Sequence, residues 1–175
     1  MKRLTVLRHA KSSWKDRELD DFDRPLNNRG RNAARRMGRE MNERGLHFDF
    51  VLASPAARVR ETIDGVSEYH RLNAPMHFEP RIYMARVAEL MELIGTIPDV
   101  AQSALLVGHN TSAERLVAKL AIDDETGLRR RVEDKFPTAA LAAIELPIDS
   151  WRDVQPENGR IVELIYPADL GDADD

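Results

Sequence analysis

Short apolar runs that stop on basic residues set the pattern of this chain. Leu4 to Leu7 is apolar and includes β-branched residues, the composition of a buried strand. It stops on Arg8-His9, two residues that a core does not readily accept. Phe48 to Ala53 repeats the device and runs into Ser54-Pro55, read as an N-cap followed by a proline at the first helical position. Arg58 then falls in the first turn of a helix continuing to about Tyr69. Ala104 to Val107 is a further buried strand, and it stops on Gly108-His109.

Between these runs the period lengthens to that of helices. Arg24-Pro25-Leu26-Asn27 leads into a helix that either Asn27 or Asn28 can cap, with Ala33, Met37 and Met41 along one face and Gly45 placed to end it. Leu90, Leu93, Ile94 and Ile97 keep amphipathic spacing up to Pro98. Thr111 with Glu114 reads as a capping box before the stripe Ala113, Leu116, Val117 and Leu120. Met76 to Phe78 is a short strand, and Thr138 to Glu145 and Gly159 to Tyr166 are two more. Ser13 to Asp23 has no period and reads as a loop over the first strand end. Strands alternating with helices predict a three-layer α/β/α sandwich on a mostly parallel central sheet. No repeat or linker divides the chain, so residues 1–167 are expected to form one domain, followed by an acidic tail, 168–175.

Charge and composition narrow the function. With 26 Lys+Arg against 30 Asp+Glu the net charge is -4, which disfavours wholesale nucleic-acid binding. No cysteine is present, so disulfides and thiolate metal sites are excluded and a reducing compartment is expected. No apolar run reaches membrane-spanning length and no signal-peptide core follows Met1, so the expectation is a cytoplasmic protein without membrane contact. No heptad seam is evident, and a monomer is the default.

If the basic strand ends are neighbours, Arg8, His9, Arg58 and His109 converge beyond the carboxyl edge of the sheet, where open α/β sheets bind ligands. Two guanidiniums and adjoining helix N-termini make an anion pocket suited to phosphate. No Asp/Glu cluster is evident to hold a metal, and no cofactor is called for. Neighbouring positive charge keeps a histidine neutral, and a neutral imidazole is a nucleophile that can attack phosphorus in line.

Leu7-Arg8-His9-Ala10-Lys11-Ser12, Ser54-Pro55-Ala56-Ala57-Arg58 with Glu61-Thr62, and Gly108-His109-Asn110 resemble, in order and spacing, the histidine phosphatase superfamily, and within it the short SixA-like phosphohistidine phosphatases. Asp23-Arg24-Pro25-Leu26 to Arg29-Gly30 and the late Trp151 are typical of that branch. The resemblance implies that His9 is transiently phosphorylated, with Arg8, Arg58 and His109 around the phosphate. It extends substrate contact to Lys11, Ser12 and Asn110, while Asp23 and Arg24 either line the entrance or brace the first long helix. The implied substrate is a phosphohistidine-containing protein, such as a phosphotransfer domain, or a small phosphorylated molecule; the alternative from another class is a phosphate- or phosphoprotein-binding module without catalysis.

Two departures from the superfamily pattern stand out. Ala10 occupies the position after the nucleophile where glycine is usual. His77-Phe78-Glu79-Pro80-Arg81-Ile82-Tyr83 lacks the acidic motif that protonates ester leaving groups in other branches, leaving Glu79 or Asp23 as substitute acids. A phosphohistidine tolerates that absence, because a protonated imidazole already leaves well. The remaining histidines, His47, His70 and His77, read as filler, and Arg129-Arg130-Arg131 reads as a solvated helical face that an acidic partner could touch.

Overall fold

A computed structural model describes residues 1–171. The apolar runs become strands, each slightly offset from its sequence pattern: β1 (Lys2–Arg8), β2 (Phe50–Ala53), β3 (Met76–Phe78), β4 (Ser103–Gly108), β5 (Leu141–Leu146) and β6 (Arg160–Ile165). They form one six-stranded sheet in the order β3-β2-β4-β1-β5-β6. β3, β2, β4 and β1 run parallel, and β5 and β6 add an antiparallel hairpin-like edge beside β1.

The central strands are apolar on both faces because both faces are covered. From β1 and β4, Leu4, Val6, Ala104 and Leu106 enter a core closed by helices α3 (Val87–Ile94), α4 (Ser112–Leu120) and α5 (Leu128–Asp134). Leu7, Leu105 and Val107 enter the opposite core with Met37 and Met41 of α1 (Asn28–Glu43) and Ile63 of α2 (Ala57–Ser67). The three-layer sandwich is therefore the observed architecture. Trp151 is fully buried, and its indole donates to the carbonyl of Ala101 at 2.8 Å.

Local signals resolve in instructive ways. Asn27 is the cap of α1, its side chain accepting from the Gly30 amide at 2.8 Å. Ser54-Pro55 does not open α2: the helix starts at Ala57 with Ala56 at its cap, and the Ser54 hydroxyl lies 2.8 Å from His109 Nε2. Thr111 does not form a capping box either; the amide of Glu114 is met by the side chain of Asn110 at 3.3 Å. α3 stops at Ile94, before Pro98 is reached. The predicted tail boundary moves outward, since Pro167–Asp169 forms a 3₁₀ turn and Asp169 pairs with Arg131 at 2.7 Å. The end of the acidic tail, 172–175, lies outside the described residues.

Candidate active site

Parallel pairing does the positioning. In β1 and β4 the register aligns Arg8 with Gly108, and the His9 amide donates to the Gly108 carbonyl at 3.0 Å. His9 and His109, each one residue past its strand, are thereby side by side, with ring centroids 5.3 Å apart. β2 lies on the other side of β4, and the Ser54 amide donates to the Val107 carbonyl at 3.1 Å, so Ser54 arrives at the same edge. Arg58 enters from the first turn of α2. Thr62, one turn further on, ties the helix to the nucleophile loop: its hydroxyl accepts from the Ala10 amide at 2.9 Å and donates to the Arg58 carbonyl at 2.6 Å.

Arg8, His9, Arg58 and His109 are brought together, and a hydrogen bond fixes the proton of His9. Nδ1 of His9 lies 2.7 Å from the Ala10 carbonyl. A carbonyl only accepts, so Nδ1 carries the hydrogen and Nε2 keeps its lone pair. Ser54 Oγ accepts from the Ala56 amide at 3.3 Å, and its own hydrogen can go to His109 Nε2 at 2.8 Å. That arrangement puts the His109 proton on Nδ1. Among the described residues this atom is buried without a partner, as are Nε of Arg8 and Nε of Arg58. Unsatisfied buried donors are rare in folded proteins, and three on side chains gathered at one sheet edge suit an anion.

Electrostatics agrees with this geometry. Burial, first, and then the charges of Arg58, Arg8 and Arg24 push His9 down to about 4, against the opposing hydrogen bond to Ala10. Burial, then His9 and Arg58, push His109 down to about 3, with Asp21 opposing. Both rings are neutral at pH 7. Arg8 is held by the Phe136 carbonyl at 2.9 Å, a group that also accepts from Asn110 at 3.0 Å.

Asp21 is the main addition to the predicted set. Its carboxylate accepts from Tyr83 Oη at 2.6 Å and Arg58 Nη2 at 3.1 Å on one oxygen, and from Arg24 Nε at 3.1 Å on the other. The Tyr83 hydrogen bond, and after it Arg58 and Arg24, hold Asp21 down to about 2 despite the opposing effect of burial. A cleft of about 450 Å³ beside it is lined by Asp21, Arg58, Tyr83, His109 and Asn110 among others. Tyr83 also packs edge-on against His109, centroids 5.4 Å apart.

The other candidates are placed differently. Arg24 is buried and reaches the site through Asp21, with its guanidinium stacked on Trp14. Asp23 is exposed and forms no side-chain hydrogen bond among the described residues; the carboxylate that engages the site arginines is Asp21, two residues earlier. Lys11 lines a separate cleft with Arg29, Arg36 and Thr138, and Ser12 pairs with Leu26 through an isolated bridge. Glu79 caps the 3₁₀ turn Pro80–Ile82 and is ion-paired to Arg81 at 3.2 Å. Arg81 holds it below the usual carboxylate range, and it lines a cavity next to β3 instead of the histidine site. Arg129, Arg130 and Arg131 each pair with a carboxylate of this chain. Among the described residues no cluster of three or more His, Asp or Glu could hold a metal, and no helix is long and apolar enough to cross a membrane.

Residues 4–83, which contain the Arg8-His9 strand end and Arg58, match the model of the histidine phosphatase superfamily, branch 1. An uncharacterised protein of Mycobacterium tuberculosis is 31% identical over 163 residues, covering 92% of this chain and 99% of that protein. The chain belongs to the histidine phosphatase superfamily. It is similar in structure to a candidate phosphohistidine phosphatase SixA from Agrobacterium tumefaciens, with a TM-score of 0.79, 28% identity and coverage of 95% and 98% of the two chains. A candidate α-ribazole-5′-phosphate phosphatase from Escherichia coli shares the fold at a TM-score of 0.67 and 16% identity, covering 95% of this chain and 97% of that one. This histidine phosphatase is SixA-like, but relatives of the same fold are named for different substrates, and the fold alone does not set the substrate.

Proposed function

We propose that this histidine phosphatase is a protein phosphohistidine phosphatase acting through a phosphohistidine on His9. Nε2 of His9 attacks phosphorus, the P–N bond of the substrate breaks, and its electron pair returns to the departing imidazole. Water then attacks the phosphoryl group on His9, releasing inorganic phosphate and restoring the Nε2 lone pair. Arg8, Arg58 and Nδ1–H of His109 steady the transferring oxygens throughout, the kind of preorganised positive field on which phosphoryl transfer depends. No metal or organic cofactor enters these steps.

The observation that carries this reading is the state of the carboxylate at the pocket. Asp21 is held ionised at about 2 by Tyr83, Arg58 and Arg24, so it has no proton to give an ester oxygen at neutral pH. Glu79 is tied to Arg81 away from the histidines. A substrate that needs no such proton is favoured, and a phosphohistidine whose ring is already protonated is one. The similarity to a candidate SixA supports the same choice. With it comes a cytoplasmic role in phosphorelay signalling, with a phosphotransfer domain as partner and a monomeric enzyme.

The test is kcat/KM for a phosphohistidine-bearing phosphotransfer domain beside a panel of phosphomonoesters, with His9→Ala as the blank. Strong preference for the phosphoramidate is expected. Equal or better turnover of an ester would overturn the assignment in favour of a small-molecule phosphatase.

A further inference from the structure

An ionised carboxylate is an odd neighbour for a phosphate pocket. It repels the substrate's own charge and occupies Arg58, which donates to the Asp21 carboxylate at 3.1 Å and to its backbone carbonyl at 2.7 Å. The arrangement is nonetheless built. The carboxylate also takes bonds from Tyr83, 62 residues away in sequence, and from Arg24 of its own segment. Were Asp21 only a brace for the arginine, its backbone carbonyl and a neutral side chain would serve without opposing the phosphate.

Depth in the pocket suggests what the charge is for. His9, Arg58 and His109 are 6–7% exposed and form the floor, whereas the Asp21 side chain is 50% exposed at the rim. A phosphoryl group seated against the floor sends its leaving group outward toward that rim. A carboxylate has about four acceptor positions, and protein donors occupy three here. One remains for the substrate, and a further one opens when Arg58 turns to the phosphate.

Building on the phosphohistidine reading above, we propose that Asp21 is a specificity-determining residue that receives the free ring N–H of the substrate's phosphoimidazolium. The bond keeps that ring protonated while phosphorus moves to His9. When the P–N bond breaks, its electron pair neutralises the imidazolium, and imidazole departs with its N–H intact; no proton is transferred to or from Asp21. An ester offers no cationic N–H at that place, and its anionic or neutral oxygen gains nothing from the carboxylate. The same charge that opposes phosphate in general therefore selects the one leaving group that arrives positive.

Asp21→Asn is nearly isosteric at a half-exposed position. It is to be compared with wild type using a phosphohistidine peptide and p-nitrophenyl phosphate. A hydrogen bond to a charged group sets the expected size: the ratio of kcat/KM for the peptide over the ester falls about 10- to 100-fold. The single-turnover rate of phosphoryl transfer from the peptide, at saturating enzyme, supplies the second readout. Its alkaline limb moves down by about one unit or more in Asp21→Asn, because the bound ring loses the anion that kept it protonated. The charged and titratable groups around Asp21, namely Arg24, Arg58, Tyr83 and His109, with Arg86 and Arg115 lining the same cleft and Asp16 and Arg17 lining a second cleft beside Asp21, are unchanged in the variant. A ratio that moves less than about threefold, or a ratio that falls while the alkaline limb stays in place, overturns the proposal, since loss of Arg58 bracing alone gives those results. A wild-type enzyme without preference for the peptide overturns the phosphohistidine reading itself, and that outcome is seen before any substitution is made.

Discussion

His9 and His109 face each other across two paired strand ends, ring centroids 5.3 Å apart and planes tilted by 57°. Each ring has one nitrogen fixed by a neighbour, the Ala10 carbonyl for His9 and the Ser54 hydroxyl for His109. The two rings are thereby given opposite tasks, a lone pair on one and a donor on the other.

The neutral state of His9 sets its pH behaviour. Its folded value of about 4 lies below the ordinary 6.5. Activity measured as kcat/KM, corrected for the substrate's own ionisation, is expected to hold from pH 7 to about 5 and to fall only toward 4. An acid limb near 6.5 would contradict the buried, arginine-flanked environment.

Stability has the corresponding sign. Between about 4 and 6.5 the unfolded chain binds a proton at position 9 that the folded chain refuses, so stability rises with pH through that window and is lost as pH falls through it. The contribution of His9 is on the order of 3 kcal/mol. Denaturant melts at pH 7 and pH 4.5 are expected to converge in His9→Asn relative to wild type; an unchanged pH slope would count against the assignment.

Arg58 is expected to be indispensable to rate. Arg58→Ala should lower kcat/KM roughly 10²- to 10³-fold, the usual cost of one preorganised donor. Lysine should restore little of it, because a point charge does not reproduce the fork shared between phosphate and Asp21. Full recovery in Arg58→Lys would show that charge alone suffices.

Ser54→Ala removes the partner of a buried nitrogen and releases the His109 tautomer. A loss of about 1–3 kcal/mol in stability is expected from the unsatisfied atom. A fall in kcat should accompany it, and a variant with lower Tm but intact kcat would remove Ser54 from the catalytic account.

Gly30 offers a structural test of the nucleophile loop. A Cβ there would stand 2.1 Å from the Lys11 carbonyl oxygen, two residues beyond His9, and backbone cannot give way as a side chain can. Gly30→Ala should cost about 1–3 kcal/mol and lower kcat. Gly45→Ala, beyond the far end of α1 with nothing within 4 Å but a φ of +62°, should cost about 1 kcal/mol and leave kcat alone.

The floor of the site was legible in the sequence because charged groups ending an apolar strand have no structural reason to be there. Arg8, His9 and His109 all carry that signature, and Arg58 adds an arginine at the unfavourable end of a helix. The rim was not legible. Asp21 sits in an aperiodic segment with several other acids, and nothing local separates it from Asp20 or Asp23. Its role comes from Tyr83, 62 residues away, and Arg58, 37 residues away. Ser54 was visible but carried the signature of a helix cap; its strand-end position, matching that of His9 and His109, was the better guide. Of the helix signals, Asn27 held because its cap is purely local, whereas Ser54 and Thr111 were overridden by tertiary demand at the site.

The most direct test of the account is to stop a single turnover with phosphate-labelled phosphohistidine substrate within the first turnover and map the label on the protein. One acid-labile, alkali-stable phosphoryl group is expected on His9, absent from His9→Asn together with activity. Label on another residue, or turnover that survives in His9→Asn, would contradict it.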